Sequence, residues 1–513
     1  MNSNGALKSF SWRGTGCHFQ TKNFCNIHHQ NRQNLCFWFA AAKPRIYASY
    51  MQNLTAQMPW SGHFKATLAL GLPMVGSHLA QMSVNLTDTL MLGWYGVNEL
   101  AAVVLAGSAF FLVFIVGSGF ALAIMPMVAN AEGENDIVQV RRVVRMGFWI
   151  TVIFCTFAMP AMWQMEAFLL AIGQKAHVAV LAQDYMRIAQ WAMFPAMLVM
   201  VLKSYLSALE RPQWVLWATL AGTVINALLN YALIFGNWGA PELGVKGAAI
   251  ASLMTATVTF IVLFAYANFN PALKKYDLFV RIWRSDWPAF WAVFRLGWPI
   301  GAALLAETGL FSATAVMMGW IGTVELATHG IVLQIAAMTF MIYLGLSNVG
   351  TVRAGRALGR KDGVGLRRAA WVVIASMMLV SICVVAMFLS IPEHLIALFL
   401  SRSDPAAPAI IAFGISLMVV AAAFQVADGL QVVLLGLLRG LKDTAVPMVL
   451  AVISYWIIGL PAGYLLGFTF GYGGVGVWVG LVVGLSLAAL TLGGRLWYVL
   501  PNPQALAGQL PSS

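Results

Sequence analysis

Three carboxylic acids lie inside long apolar stretches of this 513-residue sequence, namely Asp88, Glu307 and Asp428. A carboxylate inside a bilayer costs roughly 2.5 kcal/mol or more, so it normally faces a water-filled cavity or a bonding partner. A carboxylate that cycles between a charged form and a form neutralised by H+ or Na+ can couple cation movement to another process. The three acids are therefore candidate cation or proton sites, and hydrogen-bonded packing between helices is the alternative.

Polar side chains recur in three of the apolar segments at intervals of three and four residues, which place them on common helical faces. Three such faces are present: His78, Gln81, Asn85 and Asp88; Thr219, Thr223, Asn226 and Asn230; and Gln425, Asp428 and Gln431. Polar stripes within apolar helices are typical of an aqueous cavity, whereas single Ser or Thr residues are more often packing contacts. His78 by itself is better explained as a hydrogen-bonded helix contact than as a proton carrier.

The elements that carry these faces are apolar segments of about 20 residues or more, the length of a membrane-spanning helix. Hydrophobic residues make up 60% of the sequence and charged residues 9%, against about 25% charged residues in soluble proteins. This composition excludes a soluble enzyme, and the ten-residue alternation of a transmembrane β-barrel is absent. Twelve spans are predicted: 65–92, 100–129, 143–167, 181–208, 213–236, 245–268, 290–320, 326–352, 368–391, 408–437, 446–470 and 474–496.

The loops between these spans differ in charge. One set of loops, with the flanking residues and both ends of the chain, holds 26 of the 30 Lys and Arg residues. The other set holds Lys175, Arg187, Lys246 and Arg402. Basic residues mark cytoplasmic loops, so both termini are predicted to be cytoplasmic. The net charge of +12 is then a topology signal, and no nucleic-acid partner is implied.

The two halves of the sequence are related by an internal repeat. When residues 64–142 are placed on residues 290–368 without a gap, 22 of the 79 positions are identical. The identities include Pro73 with Pro299, and paired arginines also fall in register. Six helices per half make a parallel repeat around an axis along the membrane normal, an architecture of secondary transporters. The predicted divisions are an N-lobe (59–268), an inter-lobe cytoplasmic loop (269–289), a C-lobe (290–498) and a short C-terminal tail (499–513).

Residues 1–58 are polar and differ from everything that follows. They are predicted to be a disordered, dispensable tail. The alternative is that translation begins at Met51 or Met58. The Cys and His residues of this segment fit no zinc signature, and five cysteines in all indicate no disulfide framework.

Several motifs that would define another class of protein are missing. The sequence has no Walker A motif, so an ATP-driven pump is not predicted. It also lacks an HExxH helix and a Ser-His-Asp set, so an enzyme is not predicted. An ion gradient acting through the intramembrane carboxylates is the implied source of energy. The 26 Met residues and 12% aromatic residues could receive flat apolar cations, or they could serve as packing residues and interfacial anchors.

Residues 60–500 resemble the multidrug and toxic compound extrusion (MATE) transporters of the NorM-like subgroup. The resemblance rests on these motifs: Leu70-Gly71-Leu72-Pro73, Thr87-Asp88-Thr89, Pro299-Ile300 with Glu307, Asp428-Gly429-Leu430-Gln431-Val432-Val433, Leu438-Arg439-Gly440-Leu441-Lys442-Asp443, and Ser454-Tyr455-Trp456 through Leu460-Pro461. It implies an all-α membrane protein with twelve transmembrane helices, in two six-helix lobes that form a V. It also implies export of organic cations and drugs in exchange for Na+ or H+, with no cofactor beyond that ion.

The resemblance further assigns roles to residues. Glu307 and Asp428 match the C-lobe cation site, where Na+ could bind. Asp88 matches the centre of the N-lobe cluster. The candidates for lining the cavity or contacting substrate are Gln81, Asn85, Asn226, Asn230, Ser252, Phe424, Gln425 and Gln431. The implied partners are cationic or aromatic drugs and the lipid bilayer, and the implied state is a monomer in a bacterial inner (plasma) membrane.

The sequence is also compatible with other classes of membrane protein. A major-facilitator transporter also has two six-helix halves, and a lipid-linked saccharide flippase of related fold is a second possibility. A membrane-embedded enzyme would need a cluster of acids, histidines or metal ligands at one interface. A channel is a further class, but asymmetric acids in two halves suit alternating access better than a continuous pore.

Overall fold

The computed structural model describes residues 58–171, 173–400 and 405–500. Within these ranges the chain is helical, and no β-strand is present. Twelve long helices follow one another: α1 Trp60–Tyr95, α2 Val97–Gly133, α3 Ile137–Trp163, α4 Ala176–Ala208, α5 Pro212–Phe235, α6 Val245–Phe269, α7 Trp287–Ile321, α8 Thr323–Gly359, α9 Gly363–Ser390, α10 Ala407–Gly440, α11 Ala445–Thr469 and α12 Gly473–Val499. Short helices Met165–Ala171 and Pro392–Ala397 follow α3 and α9. The predicted terminal segments and Arg402 lie largely or wholly outside the described residues.

Eleven of the long helices in the described ranges, α2 to α12, are long and apolar enough to cross a membrane. Helix α1 has 36 residues, so it is long enough as well. It is less apolar because it carries the stripe of His78, Gln81, Asn85 and Asp88. The twelve-helix, all-α fold predicted from the sequence is confirmed.

The internal repeat is visible in the helix lengths and in the packing. Helices α1, α2 and α3 have 36, 37 and 27 residues, and α7, α8 and α9 have 35, 37 and 28. In the first lobe α1, α5, α6, α4 and α2 pack in that order around a ring. In the second lobe α7, α11, α12, α10 and α8 do the same. Helices α3 and α9 pack at the side of their rings, against α2 and α4 or against α8 and α10.

The repeated turn before α3 and α9 shows how equivalent residues build equivalent structure. Asp136 and Asp362 each accept a hydrogen bond from the backbone N–H three residues later, at 2.9 Å and 2.7 Å. A carboxylate at this position caps a helix by pairing with one of its free N–H groups. The preceding residues, Asn135 and Lys361, have positive φ angles of 60° and 56°. The same tight turn therefore reverses the chain in both lobes.

The lobes meet near the end of the bundle at which α1 begins, here called the basic end because most of the lysines and arginines lie there. Gly119 of α2 lies against Gly297 and Gly301 of α7, and a Cβ atom on Gly119 would approach the Gly301 nitrogen to 2.3 Å. Gly133 of α2 meets Gly359 of α8 in the same way. Glycine lets two helix backbones approach closely. These contacts join the halves of the helices nearest the basic end.

The segment between α6 and α7 packs tightly on the first lobe. The Tyr276 side chain is 1% exposed and lies edge-on to Tyr205 of α4, with ring centroids 6.0 Å apart. Its hydroxyl donates to the Glu132 carboxylate of α2. The Trp149 indole of α3 donates to the Ile282 carbonyl at 2.8 Å. The inter-lobe loop is thus a docked segment that holds the start of α7 beside α3.

Asp286 ends this segment and ties it to the first lobe. Its carboxylate caps α7 by accepting from Ala289 N at 3.2 Å, and it accepts from Arg142 Nε and Nη2 at 2.5 Å and 3.1 Å. The hydrogen bond from the Arg142 guanidinium lowers the pKa of Asp286 below its ordinary value.

The lowered pKa gives a testable dependence of stability on pH. A carboxyl whose pKa falls on folding stabilises the protein above its unfolded-state pKa, and that contribution is lost as the pH falls through the folded-state value. We expect Asp286→Asn to lower the melting temperature of the detergent-solubilised protein near neutral pH. The difference from the wild type should shrink below a pH of about 4. A difference independent of pH would contradict this account.

Candidate functional site

Two of the intramembrane acids meet in the interior of the second lobe. Gln431 of α10 donates through Nε2 to Glu307 Oε1 of α7 at 2.7 Å and to Asp428 Oδ1 of α10 at 3.4 Å. Tyr455 of α11 donates its hydroxyl to Gln431 Oε1 at 2.7 Å. All four residues are buried, with Glu307 8% exposed and Asp428 2% exposed. Side chains from three helices thus place two carboxylates around a single amide group.

Arg439 contributes the positive charge of this lobe interior. It lies on α10, eleven residues after Asp428 and therefore on the same helical face. Its side chain is buried, and its charge acts on Glu307 and Tyr455. Neither acid forms a salt bridge within the part of the chain that the structure describes. Two carboxylates and one guanidinium leave one net negative charge when both acids are ionised, which suits one monovalent cation.

The Tyr455 hydroxyl fixes the orientation of the Gln431 amide. Because the hydroxyl donates to Oε1, the Nε2 group must face the two carboxylates. We expect Tyr455→Phe to leave Oε1 buried without a partner, a loss of about 1–3 kcal/mol. The cation concentration that gives half-maximal export should then change several-fold, while maximal export remains.

Tyr464→Phe is the matched control for that substitution, since Tyr464 lies exposed on the same helix. Export assays on both variants, with the Na+ concentration and the pH varied in turn, measure the effect. Equal cation dependence in Tyr455→Phe and the wild type would show that the hydroxyl does not position the amide.

The third acid lies in the interior of the first lobe. Asp88 of α1 accepts from Asn230 Nδ2 of α5 at 2.5 Å through Oδ1 and from Ser252 Oγ of α6 at 3.2 Å through Oδ2. Asn230 Nδ2 also donates to Asn226 Oδ1 at 3.2 Å, and both asparagines are fully buried. Tyr185 of α4 lies beside Asp88 and Ser252. The structure therefore brings Asp88 together with three of the predicted lining residues, Asn226, Asn230 and Ser252, and adds Tyr185.

The remaining predicted lining residues fall into two groups. Gln81 and Asn85 are exposed on α1, on the face that continues to Asp88. Phe424 and Gln425 are buried in the second lobe, at 2% and 0% exposure.

The buried pair makes packing contacts. Phe424 packs edge-on against Trp478, with ring centroids 5.4 Å apart. Gln425 donates to the Ala336 carbonyl at 3.2 Å and to the Thr339 hydroxyl. Neither residue has an accessible side chain.

Sequence reasoning missed the basic residues inside the lobes. Lys203 of α4 and Arg439 of α10 were counted with the charges of the basic end, because each lies within a few residues of a helix terminus. Helical spacing from Asp428 could have shown that Arg439 lies on the same face as that acid. Nothing in the sequence indicates that Lys203 lies inside the first lobe. No group of three or more His, Cys, Asp or Glu residues suited to a metal ion occurs among the described residues.

These features define a helical membrane protein of two pseudo-symmetric lobes, with one carboxylate in the interior of the first lobe and two in that of the second. The MatE family model matches residues 73–232 and 299–465, two segments that begin at the prolines paired by the internal repeat. The chain belongs to the MatE family.

Curated relatives align over most of this chain. The chain is 48% identical over 446 residues to "Probable multidrug resistance protein NorM" of Rhizobium meliloti (strain 1021), covering 87% of the chain and 96% of that protein. It is 45% identical over 433 residues to the protein of the same name from Agrobacterium fabrum, covering 84% of the chain and 93% of the relative.

Solved structures share the fold. The crystal structure of the eukaryotic MATE transporter AtDTX14 matches with a TM-score of 0.79 at 20% identity, over 88% of this chain and 98% of that chain. A multidrug resistance MATE family transporter in an outward-facing conformation matches with a TM-score of 0.76 at 21% identity, over 88% and 97%.

Proposed function

We propose that this protein is a secondary active multidrug efflux antiporter. It exports organic cations and drugs in exchange for Na+ or H+ by alternating access. The observation that carries the proposal is the pair of buried carboxylates, Glu307 and Asp428, which face one amide and form no salt bridge among the described residues. Such a pair gains from binding H+ or Na+, because two like charges in a dry site repel each other. The relatives named as multidrug resistance proteins support drugs as the exported substrates.

The arrangement of the lobes supports alternating access. Polar contacts join the lobes at the basic end, where Arg356 of α8 bonds Glu210 at 2.8 Å and the Ala208 carbonyl at 3.1 Å. Lys442 donates to Asn130 of α2 close by. We propose that these contacts close the basic end and that they break when the lobes rock toward the opposite state. Substrate and coupling cation would then bind the two states with different affinity, as coupling requires.

The basic residues also support an orientation of the protein in the membrane. By the distribution of Lys and Arg, the basic end faces the cytoplasm, and so do both chain termini. A bacterial inner membrane is the proposed location and a monomer the proposed state. In this orientation the described contacts close the cytoplasmic side of the protein.

The test is export of a cationic fluorescent dye by proteoliposomes. A Na+ gradient and a pH gradient are imposed separately, each with zero membrane potential. We expect dye to move against its own gradient when the coupling gradient is present, and movement should stop when an ionophore removes that gradient. Dye flux that only follows the dye gradient would indicate a channel or facilitator and would contradict antiport.

A further inference from the structure

A small cavity lies between the short helix Met165–Ala171 and α4. Its volume is about 250 Å³, below the roughly 300–1,000 Å³ of pockets that hold drug-sized molecules. The residues that line it belong to the segment from the end of α3 through the short helix and to α4, and they include Trp163, Glu166, Gln183 and Arg187. None of the lining residues lies on α1, α5 or α6. The cavity is therefore separate from the Asp88 cluster.

The cavity lies at the level expected for lipid headgroups. Helix α3 begins at the basic end, and Arg145 is its last basic residue. The 18 residues from Arg145 to Trp163 span about 27 Å of helix, close to the roughly 30 Å of a bilayer's hydrocarbon core. Trp163 and Trp191 are about half exposed, and tryptophans concentrate at the membrane–water interface. The cavity thus faces the headgroup layer opposite the basic end.

Glu166 and Arg187 bring one negative and one positive charge to the walls of this cavity. The Arg187 side chain is exposed and that of Glu166 is partly exposed. Neither residue forms a salt bridge with any residue that the structure describes. A helical side chain leans toward the N-terminus of its helix, so Arg187 leans toward the headgroup layer. Two opposite charges that do not pair with each other suit a ligand that carries both charges.

Gln183 adds a hydrogen-bond donor that has no acceptor. Its side chain is 3% exposed, and its Oε1 atom accepts from the backbone N–H of Glu166 at 2.9 Å. Because Oε1 is held by this bond, Nε2 is the free group of the amide. Nε2 is buried and has no hydrogen-bond partner in the described part of the chain. A buried N–H group without an acceptor is costly, so a ligand oxygen beside it is favoured.

We propose that the cavity binds the headgroup of a phospholipid that carries both a phosphate and a primary ammonium group, as phosphatidylethanolamine does. The phosphate lies toward Arg187 and the Gln183 amide, and the ammonium group lies toward Glu166. Arginine and carboxylate side chains bind such groups by charge-assisted hydrogen bonds. The exposed Trp163 and Leu170 offer apolar surface to the acyl chains of a lipid. The site uses none of the proposed coupling residues, so lipid binding does not depend on the proposed export activity.

The test is native mass spectrometry of the delipidated protein in detergent, titrated with one compound at a time. The compounds are phosphatidylethanolamine, phosphatidylglycerol and the soluble glycerophosphoethanolamine. Phosphatidylglycerol has the phosphate but no ammonium group, so its headgroup is negative and Glu166 repels it. We expect the wild type to bind its first phosphatidylethanolamine about tenfold more tightly than its first phosphatidylglycerol. Glycerophosphoethanolamine should bind at least about tenfold more weakly than the lipid, because it has no acyl chains.

Two substitutions separate the charges of the site. Arg187→Gln should weaken binding of phosphatidylethanolamine about tenfold, because the charged contact with the phosphate is lost. Glu166→Gln should bring the affinities for the two lipids within about twofold of each other. The matched control is Arg360→Gln, the same change at an exposed arginine of the basic end, and it should bind both lipids like the wild type.

Several results would overturn the site. These are equal affinity of the wild type for the two lipids, wild-type affinity in Arg187→Gln, or an unchanged lipid preference in Glu166→Gln. An equal loss in Arg360→Gln would show that binding follows total charge, which also overturns the site. Equally tight binding of glycerophosphoethanolamine would exclude a lipid as the occupant. The melting temperature of each variant without lipid reports folding, and if Arg187→Gln does not fold, the lipid preference of Glu166→Gln decides.

Discussion

Glu307→Gln and Asp428→Asn are each expected to reduce cation-driven drug export at least about tenfold, to the level of protein-free vesicles. Coupling requires that the cation bind one conformation of the transporter more tightly than the other. The two carboxylates are buried in the interior of the second lobe, at 8% and 2% exposure, and one amide bridges them. Removing either charge leaves one carboxylate opposite Arg439, and the site then has no net negative charge with which to bind a cation.

Both substitutions preserve the shape and the hydrogen bonding of the site. The amide introduced by Glu307→Gln keeps an oxygen that can accept from Gln431 Nε2, as the carboxylate does at 2.7 Å. Folding and expression should therefore stay close to those of the wild type. This separates a coupling defect from the loss of a buried polar partner, which destabilises a protein by itself.

The measurement is dye export in proteoliposomes under separate Na+ and pH gradients. The control is Glu393→Gln, the same chemical change at an exposed carboxylate on the short helix Pro392–Ala397. That variant should export like the wild type. Wild-type coupling in Glu307→Gln and Asp428→Asn would remove the second-lobe site from the mechanism.

The sequence predicts the fold well because membrane helices are encoded locally. Apolar length and loop charge mark each span without reference to its neighbours. The repeat offset pairs Pro73 with Pro299, and the family match begins at these same two residues. Helical spacing also predicts that Asn226 and Asn230 share a face, and the structure places that face on Asp88.

Contacts between distant helices are not encoded in this way. Tyr455, whose hydroxyl holds the Gln431 amide, lies 24 residues further along the chain on another helix. Phe424 shares a helical face with Asp428, but its ring packs against Trp478 of α12 and not into an accessible space. The spacing of residues along the sequence predicts the side of the helix on which a side chain lies. It does not predict which residues of another helix that side chain contacts.

Asp88→Asn is the second substitution with a large expected effect. Asp88 is held only by neutral donors, Asn230 at 2.5 Å and Ser252 at 3.2 Å, and it forms no salt bridge within residues 58–171, 173–400 and 405–500. Binding of H+ or Na+ would therefore change the net charge of the first-lobe interior. Such a change can favour one conformation while a cationic substrate favours the other. We expect the variant to export about tenfold more slowly, with a flattened response to pH.

The structure explains why this variant should fold. In Asp88→Asn the introduced amide oxygen can accept from Asn230, and its nitrogen can donate to the Ser252 hydroxyl, which accepts as well as donates. Only the charge is removed. Asp184→Asn is the control, because Asp184 forms a partly exposed ion pair with Lys246 at 3.2 Å, and ion pairs in contact with solvent contribute little to stability. Export is measured between pH 6 and pH 8 in vesicles. Normal export by Asp88→Asn throughout that range would mean that Asp88 only packs helices together, and the first lobe would then have no coupling site.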